Sequence, residues 1–574
     1  MGALNILLAA GLLPGVVLAN YVISIDPTKD RKPMKHFWKS TGFCPPLPHN
    51  NSETYFLGKD QRLNLAYISS VPHGGIKQVR MHWLLDLITF NVVNRIPQYN
   101  FTKLDELMDL LMENDLVPGF ELMGSPSGYF TDFEDKVQVK EWQHLIYSTA
   151  KRYIEKYGLS HVSSWNFETW NEPDHHDFDN VSFTLTGFQN YYDACSEGLK
   201  QASPLLKFGG PGDSCRSPPR SPICWGLLSH CFNGTNFFTQ ETGVRLDYIA
   251  LHKKVIDEHL DYMLSNDSQR MNYSLLSNDN AFMNYYPHYF TQRTLTARFQ
   301  MNNTKPPHVQ MVRKPVLTVM GLLALLGEVH ISTQIYIDDN KSINDNIIGV
   351  IASTHDPEKD IQSDSWQSTI LLYASDDNKT STDIKFLTLN FTNFPKSKDL
   401  LYVMYYIDNA LTNPFLEWQK VGSPDFPTMK DFKQIRDSED PIIEEPRPFP
   451  KKGDMILKVK LPVPSVLLIH ICEQPQSPPG RVTHVRIIPL FSGQVSVVWS
   501  DELVISRHSH SIWILQSPCC QLLEHTRTLQ YFSDVQLIEN NDHTAYRFLK
   551  WSLMHCFGFC KSYFLICVTR RLFC

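Results

Sequence analysis

Between residues 34 and 326, short apolar strands alternate with helical segments, and this rhythm narrows the possible folds more than any other feature of the chain. Ile76 to Trp83, Val117 to Met123, Leu206 to Gly210 and Leu246 to His252 read as strands. Leu104 to Met112 carries apolar residues at helical spacing, and Lys140 to Lys156 and Gly187 to Gln201 read as further helices. A strand–helix–strand order joins parallel strands through helices packed on the sheet. At this length it predicts an α/β fold of the (β/α)8-barrel type over 34–326.

The pattern changes over 327–475. Short alternating runs dominate there, such as Ser368 to Tyr373 and Leu401 to Tyr406, with turn clusters between them. They predict an antiparallel β-sandwich packed on the barrel, joined by a strand from residues 20–33. A proline-rich hinge follows, Glu473 to Gly480. Within 476–502, Val482 to Arg486 and Gln494 to Trp499 look like the first two strands of a fibronectin type III-like domain. Such a sandwich needs about seven strands, and the others are not found. Residues 503–574 show no steady period and are expected to be a poorly structured tail.

Residues 1–19 read as a signal peptide. Leu4 to Leu18 is almost wholly apolar, and Val17-Leu18-Ala19 offers small residues at the cleavage spacing. Neither this run nor the interrupted piece Cys560 to Val568 is long enough to span a bilayer, so no membrane span is expected. Glycosylation sequons agree with export: they begin at Asn50, Asn100, Asn180, Asn233, Asn266, Asn272, Asn302, Asn340, Asn378 and Asn390. Of the twelve cysteines, Cys44, Cys195, Cys215, Cys224, Cys231 and Cys472 lie in the body and the rest crowd the tail. None has zinc-finger spacing, so no metal site is expected; buried thiols and one or two disulfides are. The net charge of −7 argues against a nucleic-acid partner, whose phosphates call for a basic face.

The chemistry concentrates in Trp165 to Asp177. The stretch reads as a buried strand that ends in Asn171-Glu172-Pro173. Glycoside cleavage needs an acid to protonate the leaving oxygen and a second carboxylate across the sugar as nucleophile or base. Glu172, at the carboxyl end of a barrel strand, suits the acid role, because barrel enzymes place their sites there. Asn171 could hydrogen-bond the hydroxyl beside the reacting carbon. Read alone, Asn-Glu-Pro is also a common way to start a loop.

The chain resembles glycoside hydrolase family 39, and within it the branch that acts on iduronic acid. The resemblance rests on Ser40 to Pro48, Pro118 to Gly124, Trp165 to Asn180 and Leu276 to Phe282, and covers most of residues 20–502. It implies a lysosomal, retaining exo-glycosidase that removes terminal α-L-iduronic acid from dermatan sulfate and heparan sulfate, with no metal or organic cofactor. A homodimer is compatible with it. Glu172 then becomes the acid/base and Asn171 its sugar-binding neighbour. His82, His252, Lys254, Asp279 and Arg293 match sugar-holding positions, Arg293 by pairing with the uronate carboxylate. Read without the resemblance, the two histidines are core or rim residues, Asp279 a turn residue and Arg293 a surface charge. A β-xylosidase shares the family and the Asn-Glu-Pro site, but Arg293 argues for an acidic sugar.

Two departures from the family pattern stand out. The sixth strand, Leu246 to His252, is followed after about twenty residues by the eighth-strand region near Tyr273 to Ser277, where a helix–strand–helix connection needs roughly twice that. The gap falls near 253–256, no seventh strand fits, and the family's nucleophile has no counterpart. Asp257 and Glu258 read as exposed charges of one helix. The family match also stops at Glu502, which leaves Cys472 without the partner the family provides. These departures keep a second reading open, a secreted relative that holds uronic-acid sugars without cutting them, and a third, an open barrel that does not fold stably.

Overall fold

The structure is a computed structural model. It describes residues 20–45, 52–94, 96–176, 181–252, 275, 277–278, 290, 294–303, 307–337, 341–342, 347–358, 364–376, 381–396, 399–473, 482–491, 494–501 and 510–516. The signal-peptide reading of 1–19 and the hinge after Glu473 lie outside them.

Seven parallel strands carry the first part of the chain: β1 (Ser40–Phe43), β2 (Gln78–Met81), β3 (Val117–Glu121), β4 (Asn166–Glu168), β5 (Lys207–Asp213), β6 (Tyr248–Leu251) and β7 (Ser277–Asn278). Their order is β6-β5-β4-β3-β2-β1-β7. Each step from β1 to β6 adds the next strand on one side, whereas β7 returns to the other side and pairs in parallel with β1, Ser277 beside Ser40. Among the described residues no strand links β6 to β7, and the sheet ends at both.

Helices follow five of these strands: α1 (Lys59–Ser69), α2 (Thr102–Glu113), α3 (Lys136–Tyr157), α4 (Leu185–Ala202) and α5 (Pro222–Asn233). Local hydrogen bonds start three of them. Asn100 Oδ1 accepts the Thr102 N–H at 3.0 Å before α2, Asp135 accepts the Val137 N–H at 2.8 Å at α3, and Thr184 Oγ1 accepts the Gly187 N–H at 2.9 Å at α4. The faces then follow the 3.6-residue period: Leu104, Leu107, Met108 and Leu111 of α2 are all buried. α3 and α4 pack around Trp142, whose ring meets Phe130, Phe133 and Tyr191 and whose N–H points at Cys195 Sγ.

A second core lies between two further sheets. One has five strands in the order Lys341–Ser342, Thr333–Ile337, Asn20–Ile25, Ile384–Phe391 and Met455–Pro462. The other has eight, running from Lys32–Pro33 through Val329–Ile331, Ile348–His355, Gln367–Ala374, Ser465–Glu473 and Leu400–Asp408 to Ile442–Ile443, with Arg447–Pro448 alongside. Ile23, Ile25, Ile370, Leu372, Leu389 and Ile469 fill the space between them. The segment 20–33 serves both sheets: Asn20–Ile25 lies in the first and Lys32–Pro33 at the edge of the second. Leu371, Ile407 and Leu468 belong instead to the core of the α/β part, so the eight-stranded sheet is packed on both faces.

The tail departs from expectation. Val482–Phe491 and Gln494–Asp501 form an antiparallel hairpin, and His510–Gln516 adds a third strand, pairing Val497 with Trp513. The third strand falls in a segment expected to be poorly structured. Its run Ser-Ile-Trp-Ile-Leu is rich in β-branched and aromatic residues, which favour a strand over coil. Cys472 is disulfide-bonded. Cys215–Cys224 is a disulfide, and Cys44, Cys195 and Cys231 are free thiols. No described helix is long and apolar enough to cross a membrane.

Candidate active site

The polar residues of this sheet gather at its carboxyl edge, because several strands end on one. Glu121 closes β3, Glu168 closes β4 and Asp213 closes β5, while His82 follows β2 and His252 follows β6. Parallel strands put all these ends on one side of the sheet, where α/β proteins carry their sites. Asn171 and Glu172 lie beyond the end of β4 rather than within it, since the strand stops at Glu168. The chain still runs along β5: the Thr169 N–H donates to the Gly209 carbonyl at 3.1 Å and the Glu172 N–H to the Gly212 carbonyl at 3.0 Å. Glu172 takes a φ of 45°, a left-handed turn that costs a residue with a Cβ about 1–2 kcal/mol. Gly212, at φ 67°, is needed on the facing chain, because a Cβ there would lie 3.1 Å from Glu168 Oε1.

Arg80, on β2, is the hub of the cluster. Its Nε and Nη2 donate to Glu168 Oε1 at 3.1 and 2.6 Å, and its guanidinium pairs with Glu121 as well. Nη2 also donates to Asn171 Oδ1 at 3.2 Å and faces His252 Nε2 at 3.2 Å. Gly119, beside Arg80 in the register, leaves it room: a Cβ at 119 would sit 3.0 Å from Arg80 Cα. Burial opposes the charge of Arg80, yet Glu121 and Glu168 hold its pKa above the ordinary value.

His82 is buried and bonds Glu121 through Nδ1. Desolvation pulls its pKa down, but the Glu121 carboxylate and the Cys44 side chain together outweigh it and raise the pKa to about 10. His252 Nδ1 lies 2.9 Å from Glu172 Oε1. A guanidinium can only donate, so the Arg80 contact makes His252 Nε2 an acceptor. Nδ1 therefore carries the proton and donates it to Glu172. That bond, together with the fields of His175 and His82, holds the Glu172 pKa below the ordinary value against the opposing effect of burial. His175 links outward, with Nδ1 3.8 Å from Glu172 Oε2 and Nε2 3.8 Å from Asp213 Oδ1. Trp83 and Trp170 meet edge to face at 5.7 Å as an apolar wall beside these groups.

Of the residues singled out from sequence, His82, Asn171, Glu172 and His252 come together here. Lys254, Asp279 and Arg293 lie outside the described residues, as do Asp257 and Glu258. Among the sequon asparagines, Asn100, Asn233 and Asn302 are exposed and Asn390 is half-buried; Asn50, Asn180, Asn266, Asn272, Asn340 and Asn378 are outside the described set. Sequence reasoning missed Arg80, Glu121, Glu168, His175 and Asp213. The signal for the first three was present. Arg80 stands two residues before His82 on one strand, and Glu168 two after Asn166, so each pair shares a face. Charged residues at alternate places in an apolar strand point to a site. The other carboxylates of the cluster are already engaged: Glu121 and Glu168 on Arg80, and Asp213 on the N–H groups of Asp174 and Ser214 at 3.0 and 2.5 Å.

Comparisons with known proteins give the family. The sequence model for glycosyl hydrolases family 39 matches residues 21–254 and again 253–456, two blocks that overlap at 253 and 254. α-L-Iduronidase of Mus musculus is 50% identical over 566 residues, covering 87% of this chain and 88% of that protein. α-L-Iduronidase of Homo sapiens is 49% identical over 551 residues, covering 85% and 84%. A solved bacterial orthologue of the human enzyme superposes with a TM-score of 0.70 at 25% identity, covering 84% of this chain and 89% of its own. On both sequence and fold, the chain belongs to glycoside hydrolase family 39.

Proposed function

We propose that this chain is an exo-glycosidase of the α-L-iduronidase type, built to remove terminal α-L-iduronic acid from dermatan sulfate and heparan sulfate with retention. Glu172 is its acid/base, Asn171 holds the sugar hydroxyl, and His82 and His252 line the pocket. Lys254, Asp279 and Arg293 complete the sugar contacts. The observation that carries this reading is the pairing of Glu172 with His252 at the carboxyl edge of a parallel sheet, in a chain half identical to an α-L-iduronidase over most of its length. The exposed sequons Asn100, Asn233 and Asn302 and the Cys215–Cys224 disulfide support export and a lysosomal destination.

One observation favours a second reading of the rate. We read the parallel sheet as a (β/α)8 barrel without its seventh strand unit. Leu251 and Ser277 are separated by twenty-five residues, room for one crossover but not for two crossovers with a strand between them. The family match breaks at residues 253 and 254. The alignment to the mouse enzyme spans 566 positions, while 87% of 574 residues is about 499, so about 67 positions have no residue of this chain. The low pKa of Glu172 fits the same picture. In a retaining site a second carboxylate repels the first and keeps it protonated, whereas here imidazoles favour its ionised form. The sugar-binding half of the site is retained, and the covalent half is lost.

Titration calorimetry with an aryl α-L-iduronide tests recognition. Saturable binding, weakened by about tenfold or more in Asn171→Ala, is expected from the loss of a buried hydrogen bond. A folded chain that binds no iduronide would overturn the reading.

A further inference from the structure

The loop between β5 and α5 is built more firmly than its exposure requires. Asp213, at its start, accepts the Asp174 N–H, and the Asp174 carboxylate accepts the N–H groups of Ile223 and Cys224 at its end, both at 2.8 Å. A disulfide, Cys215–Cys224, closes it over nine positions. Within it the Arg216 N–H donates to Ser221 Oγ at 3.0 Å, the Trp225 indole N–H donates to the Arg216 carbonyl at 2.8 Å, and Pro218 and Pro219 restrict the backbone. Both ends are thus tied to Asp174, two residues after Glu172. The loop stands at the mouth of the site.

Two cations ride on this frame. Arg216 and Arg220 are exposed, and among the described residues their polar contacts run through their backbones, so no carboxylate takes up either guanidinium. Trp225, 42% exposed, offers an aromatic face beside them. Exposed arginines on a flexible loop would say little. Here the loop's conformational entropy is already spent, and the surrounding molecule carries a net charge of −7. A pre-formed cationic loop beside a sugar-cleaving site is suited to an anionic polymer that extends out of that site.

We propose that Arg216 and Arg220 form a subsite for the sulfate groups of the sugars on the leaving-group side of the substrate, with Trp225 stacking on a ring. Guanidinium groups bind such oxyanions with paired, charge-assisted hydrogen bonds. This inference rests on the iduronide reading above and deepens it.

The test is fluorescence anisotropy with the full chain. The probes are a dermatan sulfate hexasaccharide with a terminal iduronic acid and the same hexasaccharide after chemical desulfation, each labelled at the reducing end. The wild type is expected to bind the sulfated form more tightly, with an affinity that falls as salt rises. Arg216→Ala and Arg220→Ala should each weaken that binding by about tenfold and leave the desulfated form unchanged, while Lys at both positions, which keeps the charge but not the paired bonds, retains only part of it. Equal affinity of wild type and the double alanine variant for the sulfated form would overturn the subsite but leave the iduronide reading standing. Equal losses for both oligosaccharides would also overturn it, by assigning the arginines a structural role. A wild type that binds neither oligosaccharide would overturn both readings.

Discussion

Arg80 illustrates how one buried charge organises this site. It satisfies two carboxylates and an amide, and fixes which nitrogen of His252 carries the proton. Removing one partner of such a network leaves the others buried and unpaired, so Arg80→Met should cost about 3–5 kcal/mol of stability, measured by urea unfolding. A loss below 1 kcal/mol would contradict the hub role. His82 makes a pH prediction. Its pKa is raised from 6.5 to about 10 by Glu121 and Cys44, so its contribution is full below pH 6.5 and disappears as pH rises through 10. Wild type should therefore lose stability relative to His82→Gln across that window, read as melting temperature against pH. Glu172 runs the other way: its lowered pKa adds stability above its ordinary value of 4.5 that is lost as pH falls further. At this scale the sequence showed Glu172 and its neighbours through one motif. It hid His175 and Asp213, because their roles depend on which loops meet, and spacing along the chain does not carry that.

Elements fix these residues through a few long-range hydrogen bonds. Tyr191, on α4, is fully buried and bridges two loops of the site: its hydroxyl accepts the Trp170 N–H at 3.0 Å and donates to the Leu122 carbonyl at 2.8 Å. Tyr191→Phe keeps the ring and strands both backbone groups, so it should cost about 1–3 kcal/mol in chemical unfolding. It should also weaken iduronide binding, read by titration calorimetry, more than replacing the exposed Tyr373 by Phe does. The strands β2 to β6 and the helices α2, α3 and α4 were legible from their apolar periods, whereas β1, α1 and α5 were not read. The hairpin Thr296–Met301 with His308–Arg313 was not, since its pairing with the helix Met429–Arg436 in a small separate core joins residues far apart in sequence. The strand His510–Gln516 was missed for another reason: a tail rich in cysteine and phenylalanine masks a short β-prone run.

The whole molecule is a family 39 chain whose parallel sheet runs from β7 through β1 to β6. The two-block family match and the short β6–β7 connection were both foreshadowed by counting residues, because strand spacing is a hard limit on topology. What counting could not reveal is how the remaining charges settle. Among the described residues, His252 bonds Glu172 and favours its ionised form. The account therefore separates recognition from turnover. The decisive measurement is fluorophore release from an aryl α-L-iduronide at acidic pH by the purified, folded chain and by Glu172→Gln. The account predicts release about a thousandfold or more below that of the mouse relative, changed less than about tenfold by the substitution, because the covalent step is already missing. Rapid release that Glu172→Gln abolishes would contradict it, and would require a working nucleophile elsewhere in the chain.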